Sequence, residues 1–304
     1  MSLQSQHLSK KNNTILAVLK QIEMKQLIII FGLFLIFNVI GNSQNTDPKH
    51  KNFFKSPAKI ETELHSVSFK NIVAKIDYAK MAVEIKNISN DYLMFRTEEP
   101  EFVFLFGSYC SKEDLIYILP NSAESITLKV SGDNKFHVDH FNMELTGLYK
   151  LSAKGGVQEG EEFRLPANKN NIEVGSFKVS LIKTSQKTKE TYGKFECEYI
   201  GDAIGIIDPS RISVRVDGTD LVYANDVKKS KSSFLSKGGP IFLRKGEKTT
   251  LKAVFHIPGK IADMQFSLLY IMWGDTFREV QPEKLTAKKV EFVLDEGLTH
   301  GKNK

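Results

Sequence analysis

FLRKGEKTTLKAVFHIP, residues Phe242 to Pro258, runs from apolar residues through a Lys-Gly turn into a strand that ends on a proline. YILPNSAESITLKVSG, Tyr117 to Gly132, has the same form earlier in the chain, with ITLKV (Ile126–Val130) against TTLKAV (Thr249–Val254). Both stretches read as a hairpin, and a hairpin written twice predicts a domain written twice.

The segments around each hairpin correspond as well. In the first unit VSFKNIVAK (Val67–Lys75) leads to MAVEIKNISN (Met81–Asn90); in the second GSFKVSLIK (Gly175–Lys183) leads to GKFECEYIGD (Gly193–Asp202). Ser68-Phe69-Lys70 aligns with Ser176-Phe177-Lys178, and Val83–Lys86 with Phe195–Glu198. PEFVFLF (Pro100–Phe106) then matches SRISVRV (Ser210–Val216), and HFNMELTGLYKL (His140–Leu151) matches DMQFSLLYIMWG (Asp263–Gly274). Met81, Val83 and Ile85 alternate with Ala82, Glu84 and Lys86, the period of a half-buried strand. Helical periodicity is missing beyond residue 43. Short strands with frequent turns favour sandwiches.

The expected fold is therefore all-β: two tandem immunoglobulin-like β-sandwich domains after an N-terminal signal peptide. The expected bounds are a signal peptide with extension at 1–43 and a flexible lead at 44–60. A first sandwich at 61–153, a linker at 154–172, a second sandwich at 173–296 and a disordered tail at 297–304 complete them. Part of the linker, EEFRLP, also reads as a final edge strand of the first unit.

The signal peptide rests on Met24–Ser43. Lys25 is basic, Leu27–Ile40 is an apolar run of 14 residues, and Gly41-Asn42-Ser43 offers small residues before Gln44. The run is short of the ~20 residues that span a bilayer. Met24 is the expected start, with Met1–Glu23 an upstream extension; a long basic n-region carrying Lys10, Lys11 and Lys20 is the alternative. The expected location is periplasmic or extracellular, with no stable membrane span in the mature chain. The full chain has 304 residues, is 41% hydrophobic and carries a formal charge of +6. Removing residues 1–43 takes away four lysines and one glutamate, leaving about +3, too balanced to argue for nucleic acid. Cys110 and Cys197 fall in different units, so an intradomain core disulfide is not expected.

Leu243, Gly246-Glu247, Leu251, Phe255 and Ile257-Pro258 together resemble a hairpin in a family of small extracellular immunoglobulin-like domains of bacterial lipoproteins and envelope proteins. There a Gly-Glu turn precedes a strand ending in Phe-x-Val/Ile-Pro. The first unit departs from the pattern, with Pro120-Asn121 near the turn and no Phe-x-Ile-Pro. The resemblance implies fold and compartment, and no catalytic residues.

Sites of chemistry are sparse. His137, Asp139 and His140 in HVDHF are too few convergent ligands for a metal. Asp217–Asp220 (DGTD) reads as a hairpin turn rather than a calcium loop. There is no Gly-x-Ser-x-Gly elbow and no phosphate-cradling loop. Thr97–Glu101 (TEEPE) reads as an exposed turn. No cofactor and no enzymatic activity are expected.

Two features stand out as candidate partner-binding positions. One is the loop Ala224–Pro240, with Lys228, Lys229, Lys231 and Lys237, suited to an acidic partner. The other is FSLLYIMW, Phe266–Trp273. Phe266, Leu268, Tyr270 and Met272 are assigned to the core, leaving Leu269, Ile271 and Trp273 facing outward. That surplus face is to be covered by the other domain, by the linker or by a partner. The functional expectation is an exported, non-catalytic module binding an envelope protein or surface glycan. A structural accessory subunit of an envelope assembly is the alternative, and a secreted hydrolase the third reading.

Overall fold

The computed structural model describes residues 49–230, 239–258 and 266–303. Met24–Ser43, its extension Met1–Glu23, Lys231 and Lys237 lie outside the described residues. Among those described, Lys51 onward forms one compact unit, built of strands with two short α-helices and two single-turn 3-10 helices. The first strands are β1 (Lys51–Phe53), β2 (Ile60–Glu61), β3 (His65–Lys75), β4 (Tyr78–Asn87), β5 (Tyr92–Arg96), β6 (Glu101–Phe104), β7 (Gly107–Cys110), β8 (Leu115–Ile118), β9 (Ala123–Ser131), β10 (His140–Leu145) and β11 (Leu148–Leu151). Next come β12 (Phe163–Leu165), β13 (Asn171–Val174), β14 (Phe177–Gln186), β15 (Thr191–Tyr199), β16 (Ile204–Ile207), β17 (Ser213–Val216), β18 (Val222–Ala224), helix α1 (Val227–Ser230), β19 (Ile241–Leu243), β20 (Lys248–Phe255), β21 (Leu269–Met272) and β22 (Phe277–Val280). The chain closes with β23 (Glu283–Lys284), β24 (Lys288–Val293) and helix α2 (Glu296–Lys302).

Alternation makes the strands. Along β4, Ala79, Met81, Val83 and Ile85 are buried while Lys80, Ala82 and Glu84 turn away from the core. The sheet β1-β3-β4-β9 covers one side of a core that holds Phe69, Met81, Phe95, Phe102, Phe141 and Phe292. Two four-stranded sheets, β24-β10-β6-β7 and β23-β11-β5-β8, cover the other side. β10 passes into β11 through Gly147 at φ +80°, where an added Cβ would lie 2.5 Å from the Arg96 carbonyl oxygen. A second core, with Phe163, Phe177, Phe195, Tyr199, Trp273 and Phe277, lies between β13-β14-β15-β20 and the sheets β12-β21-β17-β18 and β19-β16-β22. The structure is thus all-β and sandwich-like, with antiparallel sheets.

The repeated stretch forms a different object from a hairpin. β19 pairs with β16 and β20 pairs with β15, so the turn between them carries the chain from one layer to the other. β8 and β9 do the same, pairing with β5 and β4. The two turns are built alike. Asn121 (φ 55°) and Gly246 (φ 79°) are both left-handed. The N–H of Asn87 donates to Ser122 O at 2.9 Å, and that of Tyr199 to Glu247 O at 3.1 Å. The N–H groups of Ser122 and Glu247 then close the turns on Leu119 and Arg244. The Ser-Phe-Lys alignment does not survive. Phe69 lies opposite Val83, whereas Phe177 lies opposite Tyr199, and Leu181 opposite Phe195 holds the place of Phe69.

The edge strands correct the expected domain bounds. β24, which falls within the expected second domain at 173–296, pairs with β10 through Phe141↔Phe292 and Met143↔Val290, while β23 pairs with β11. β12, in the supposed linker 154–172, pairs with β21 of the second layer set, Phe163↔Ile271, and Val157 bridges Arg278 of β22. Each core therefore takes its edge from the segment that follows the other core. The physical reason is that alternation specifies a strand and its buried face but not its neighbour. The described part of the tail, 297–303, is ordered: it carries most of α2, capped by Asp295, whose carboxylate accepts from the Leu298 N–H at 2.9 Å. The described part of the lead 44–60 is ordered too, since β1 and β2 both pair with β3.

Candidate functional site

Where the two cores meet, Met94, Leu151, Ile204, Ile206 and Val280 form a third buried cluster. These come from β5 and β11 on one side and β16 and β22 on the other. Aromatic rings seal it: Phe242 of β19 stacks on Tyr117 of β8 with centroids 4.1 Å apart and planes within 6°, and meets Tyr92 edge-on at 5.2 Å.

Beside this seam opens a cleft of about 380 Å³ lined by Arg96, Glu98, Glu113, Asp114, Leu115, Tyr117, Arg244 and Glu247. The layer-crossing turn that repeats in the sequence supplies the last two. Arg244 is held by Glu247: its Nε donates to Oε1 at 2.9 Å and its backbone N–H to Oε2 at 2.8 Å, with Glu113 3.8 Å from Nη1. The hydrogen bond and charge of Glu247 raise the basicity of Arg244. Burial, with the charge of Glu247 adding to it, pushes the Tyr117 hydroxyl up to about 12. Next to the cleft, Glu99 accepts from Tyr149 Oη at 2.6 Å and Lys284 Nζ at 2.9 Å. Partial burial works to raise the Glu99 pKa, but these two donors outweigh it and the net shift is downward. Lys284 belongs to β23, so the exchanged strand completes this ion pair. Glu98 Oε2 is enclosed in the wall without a hydrogen-bond partner among the described residues, an acceptor that a water molecule or a ligand donor can satisfy.

The lining offers guanidinium donors and carboxylate acceptors; among the described residues it contains no histidine, cysteine or serine. It is equipped to hold a polar ligand by paired hydrogen bonds.

The positions singled out from sequence fall elsewhere. Leu269, Ile271 and Trp273 are all buried, inside the second core rather than outside it. Trp273 meets Phe195 edge-on at 5.3 Å and lies 5.5 Å from Phe277. Phe266, assigned to the core, is 80% exposed. FSLLYIMW is apolar at both parities, so alternation could not choose the face, and a one-residue choice inverts every side chain. Lys228 is exposed and its N–H caps onto Asp226 at 3.1 Å; Lys229 adjoins it in α1. Lys228 is not among the residues lining the seam cleft.

His137, Asp139 and His140 stay apart from any metal-binding group among the described residues. Asp139 accepts instead from Asn52 Nδ2 at 3.2 Å. Asp217–Asp220 is the turn between the paired strands β17 and β18, with Gly218 at φ +70°. Thr97–Glu101 is a turn, but not a plain exposed one, since Glu98 enters the cleft wall and Glu99 the ion pair. The signal for these two lay in a run of carboxylates ahead of a proline, a pattern that also marks ordinary solvated turns. Cys110 is exposed on β7 and Cys197 buried in the second core, both as free thiols.

No protein-family model matches the chain, and no curated protein matches it. Among solved structures, the crystal structure of AerE from Microcystis aeruginosa covers 80% of this chain and 99% of its own, at 9% identity and a TM-score of 0.10. At that TM-score the likeness carries no argument. Among the described residues no helix is long and apolar enough to cross a membrane.

Proposed function

We propose that this protein is an exported, non-catalytic binding module of the bacterial envelope or cell surface, recognising a protein or glycan at the seam cleft. In this reading the two cores are tandem immunoglobulin-like sandwiches related to the small extracellular domains that the Gly246-Glu247 turn resembles. The repeated layer order and the matched layer-crossing turns support the repeat. Export rests on the Met24–Ser43 segment. The observation that carries the site is the enclosed Glu98 carboxylate oxygen, without a partner among the described residues, in a cleft already furnished with Arg96 and Arg244. A ligand hydroxyl or amine would meet Glu98 while a carboxylate or carbonyl met the guanidinium groups.

The test is affinity capture from the envelope fraction with identification by mass spectrometry, run in parallel on the parent, Arg244→Ala and Glu98→Gln. A partner or glycan retained by the parent and lost from both variants is the expected result. Equal retention by all three would move the site elsewhere, and turnover of a captured molecule would overturn the non-catalytic reading. The structural-subunit alternative draws on a second observation: Leu105 is 89% exposed and Phe106 37% exposed at the turn between β6 and β7. An apolar tip of that kind suits packing against a neighbour in an assembly.

A further inference from the structure

A second concavity lies on the far side of the first core, on the outer face of β1-β3-β4, and is independent of the seam cleft. Its volume is about 600 Å³, within the range that small ligands occupy. Helix α2 forms one wall. It is fastened to β1 by the Phe53 N–H donating to Thr299 Oγ1 at 2.9 Å and by Asn303, which accepts from the Lys51 N–H at 3.0 Å and donates to the Lys51 carbonyl at 2.8 Å. The floor is apolar, with Ile72 buried and Phe53 half-buried, and Leu298 stands 41% exposed at the lip.

The rim is basic. Lys51, Lys70, Lys80 and Lys302 line the groove, and among the described residues no carboxylate does. Lys70 is committed to Glu84 at 2.6 Å. Lys51, Lys80 and Lys302 have no carboxylate partner among the described residues. Lys80 also lies directly opposite Lys129 in the β4–β9 register, and like charges facing across a strand pair repel. Both ammonium groups lean over Tyr78 instead, 5.7 and 4.8 Å from its ring centroid. A half-enclosed apolar floor under a one-signed rim matches a ligand with an apolar body and an anionic head.

We propose that this groove binds a single-chain anionic amphiphile. The phosphate or carboxylate head sits among Lys51, Lys80 and Lys302, and the chain lies along Phe53, Ile72 and Leu298. Phosphate and carboxylate heads share the chemistry the lysines read, and the probes below separate them.

The experiment is calorimetric titration of the full chain with decyl phosphate, decanoate, decylphosphocholine and inorganic phosphate, each amphiphile below its micelle concentration. One or both anionic amphiphiles are expected to bind with one-to-one stoichiometry, weakening as salt is raised. The zwitterionic probe should bind at least about tenfold more weakly, and the Lys80→Glu/Lys302→Glu double variant should lose about tenfold or more for the anion. Leu298→Ser, which leaves the charges in place, should weaken both amphiphiles and keep the preference for the anion. Arg244→Ala, in the seam cleft, should change nothing. Equal affinity for anion and zwitterion, unchanged affinity in the double variant, or inorganic phosphate binding as tightly as decyl phosphate would each overturn the proposal. So would binding to vesicles of anionic phospholipid with none to the monomeric amphiphiles, which would make this a membrane-facing surface rather than a ligand groove.

Discussion

Phe292→Ala tests the exchanged edge directly. Phe292 sits in β24, near the end of the chain, yet its ring is fully buried in the first core. It stacks on Phe141 at 4.8 Å with planes 22° apart and meets Phe69 edge-on at 5.5 Å. Truncating a buried phenylalanine typically costs ~3–5 kcal/mol through lost transfer energy and the cavity left behind. Against a total of about 5–15 kcal/mol for a domain, that is a large fraction. The assay is native-state hydrogen exchange read by mass spectrometry. Protection should fall across β3, β4, β6 and β10, more than 100 residues away in sequence. The strands β14, β15 and β20 should keep most of theirs. Loss concentrated in β14–β22, with β3 and β10 unchanged, would refute the exchange. A total cost below about 1 kcal/mol would refute the burial.

Trp273→Ala should cost ~3–5 kcal/mol in chemical denaturation, because the indole fills the second core. Trp273→Phe should cost less, since the indole N–H has no acceptor among the described residues to lose; an unaltered midpoint in the alanine variant would put Trp273 back on the surface. Native protein should take up one equivalent of a thiol reagent, at Cys110. Cys197, whose pKa burial pushes up to about 12, should react only after unfolding, and two fast equivalents in native protein would contradict its burial. The Tyr117 hydroxyl is also held at about 12, above the ~10 of an unfolded chain, so the native state keeps a proton that the unfolded state gives up. The Tyr117 contribution should therefore be intact below about pH 10 and be lost between about pH 10 and 12, so stability should fall less steeply across that window in Tyr117→Phe than in the parent; an unchanged slope would remove Tyr117 from the seam.

Much of the strand content was legible because alternation is a local property. β4 and β15 bury every second residue, as their sequences say. The β21 face was not legible: Leu268 to Trp273 is apolar at both parities, and only the opposing layer decides between them. Nor was the path of the repeated stretch, since a tight turn between two strands reads alike whether the strands pair or pass to opposite layers. The partners of β12 and β24 depend on which sheet edge is open, a property of the assembled layers. The cleft collects Glu98, Glu113 and Arg244 from three separated turns, and the basic groove joins residues 51, 80 and 302. No linear pattern announces either. The matched Ser-Phe-Lys triplets pointed four residues off register for the same reason: three residues carry too little information to outweigh the pairing of a whole strand.

The exchanged edges also impose an order on the birth of the molecule. A chain made from its amino end normally completes its first domain first. Here β10 and β11 emerge early, pair on one side with β6 and β5, and must wait with the donors and acceptors of the other edge unpaired until β23 and β24 have been synthesised. The second core needs nothing later than β22, because its borrowed strand β12 has already been made. The module encoded first is thus the module finished last. Until β24 arrives, the open edge of β10 is a surface on which a second nascent chain can pair.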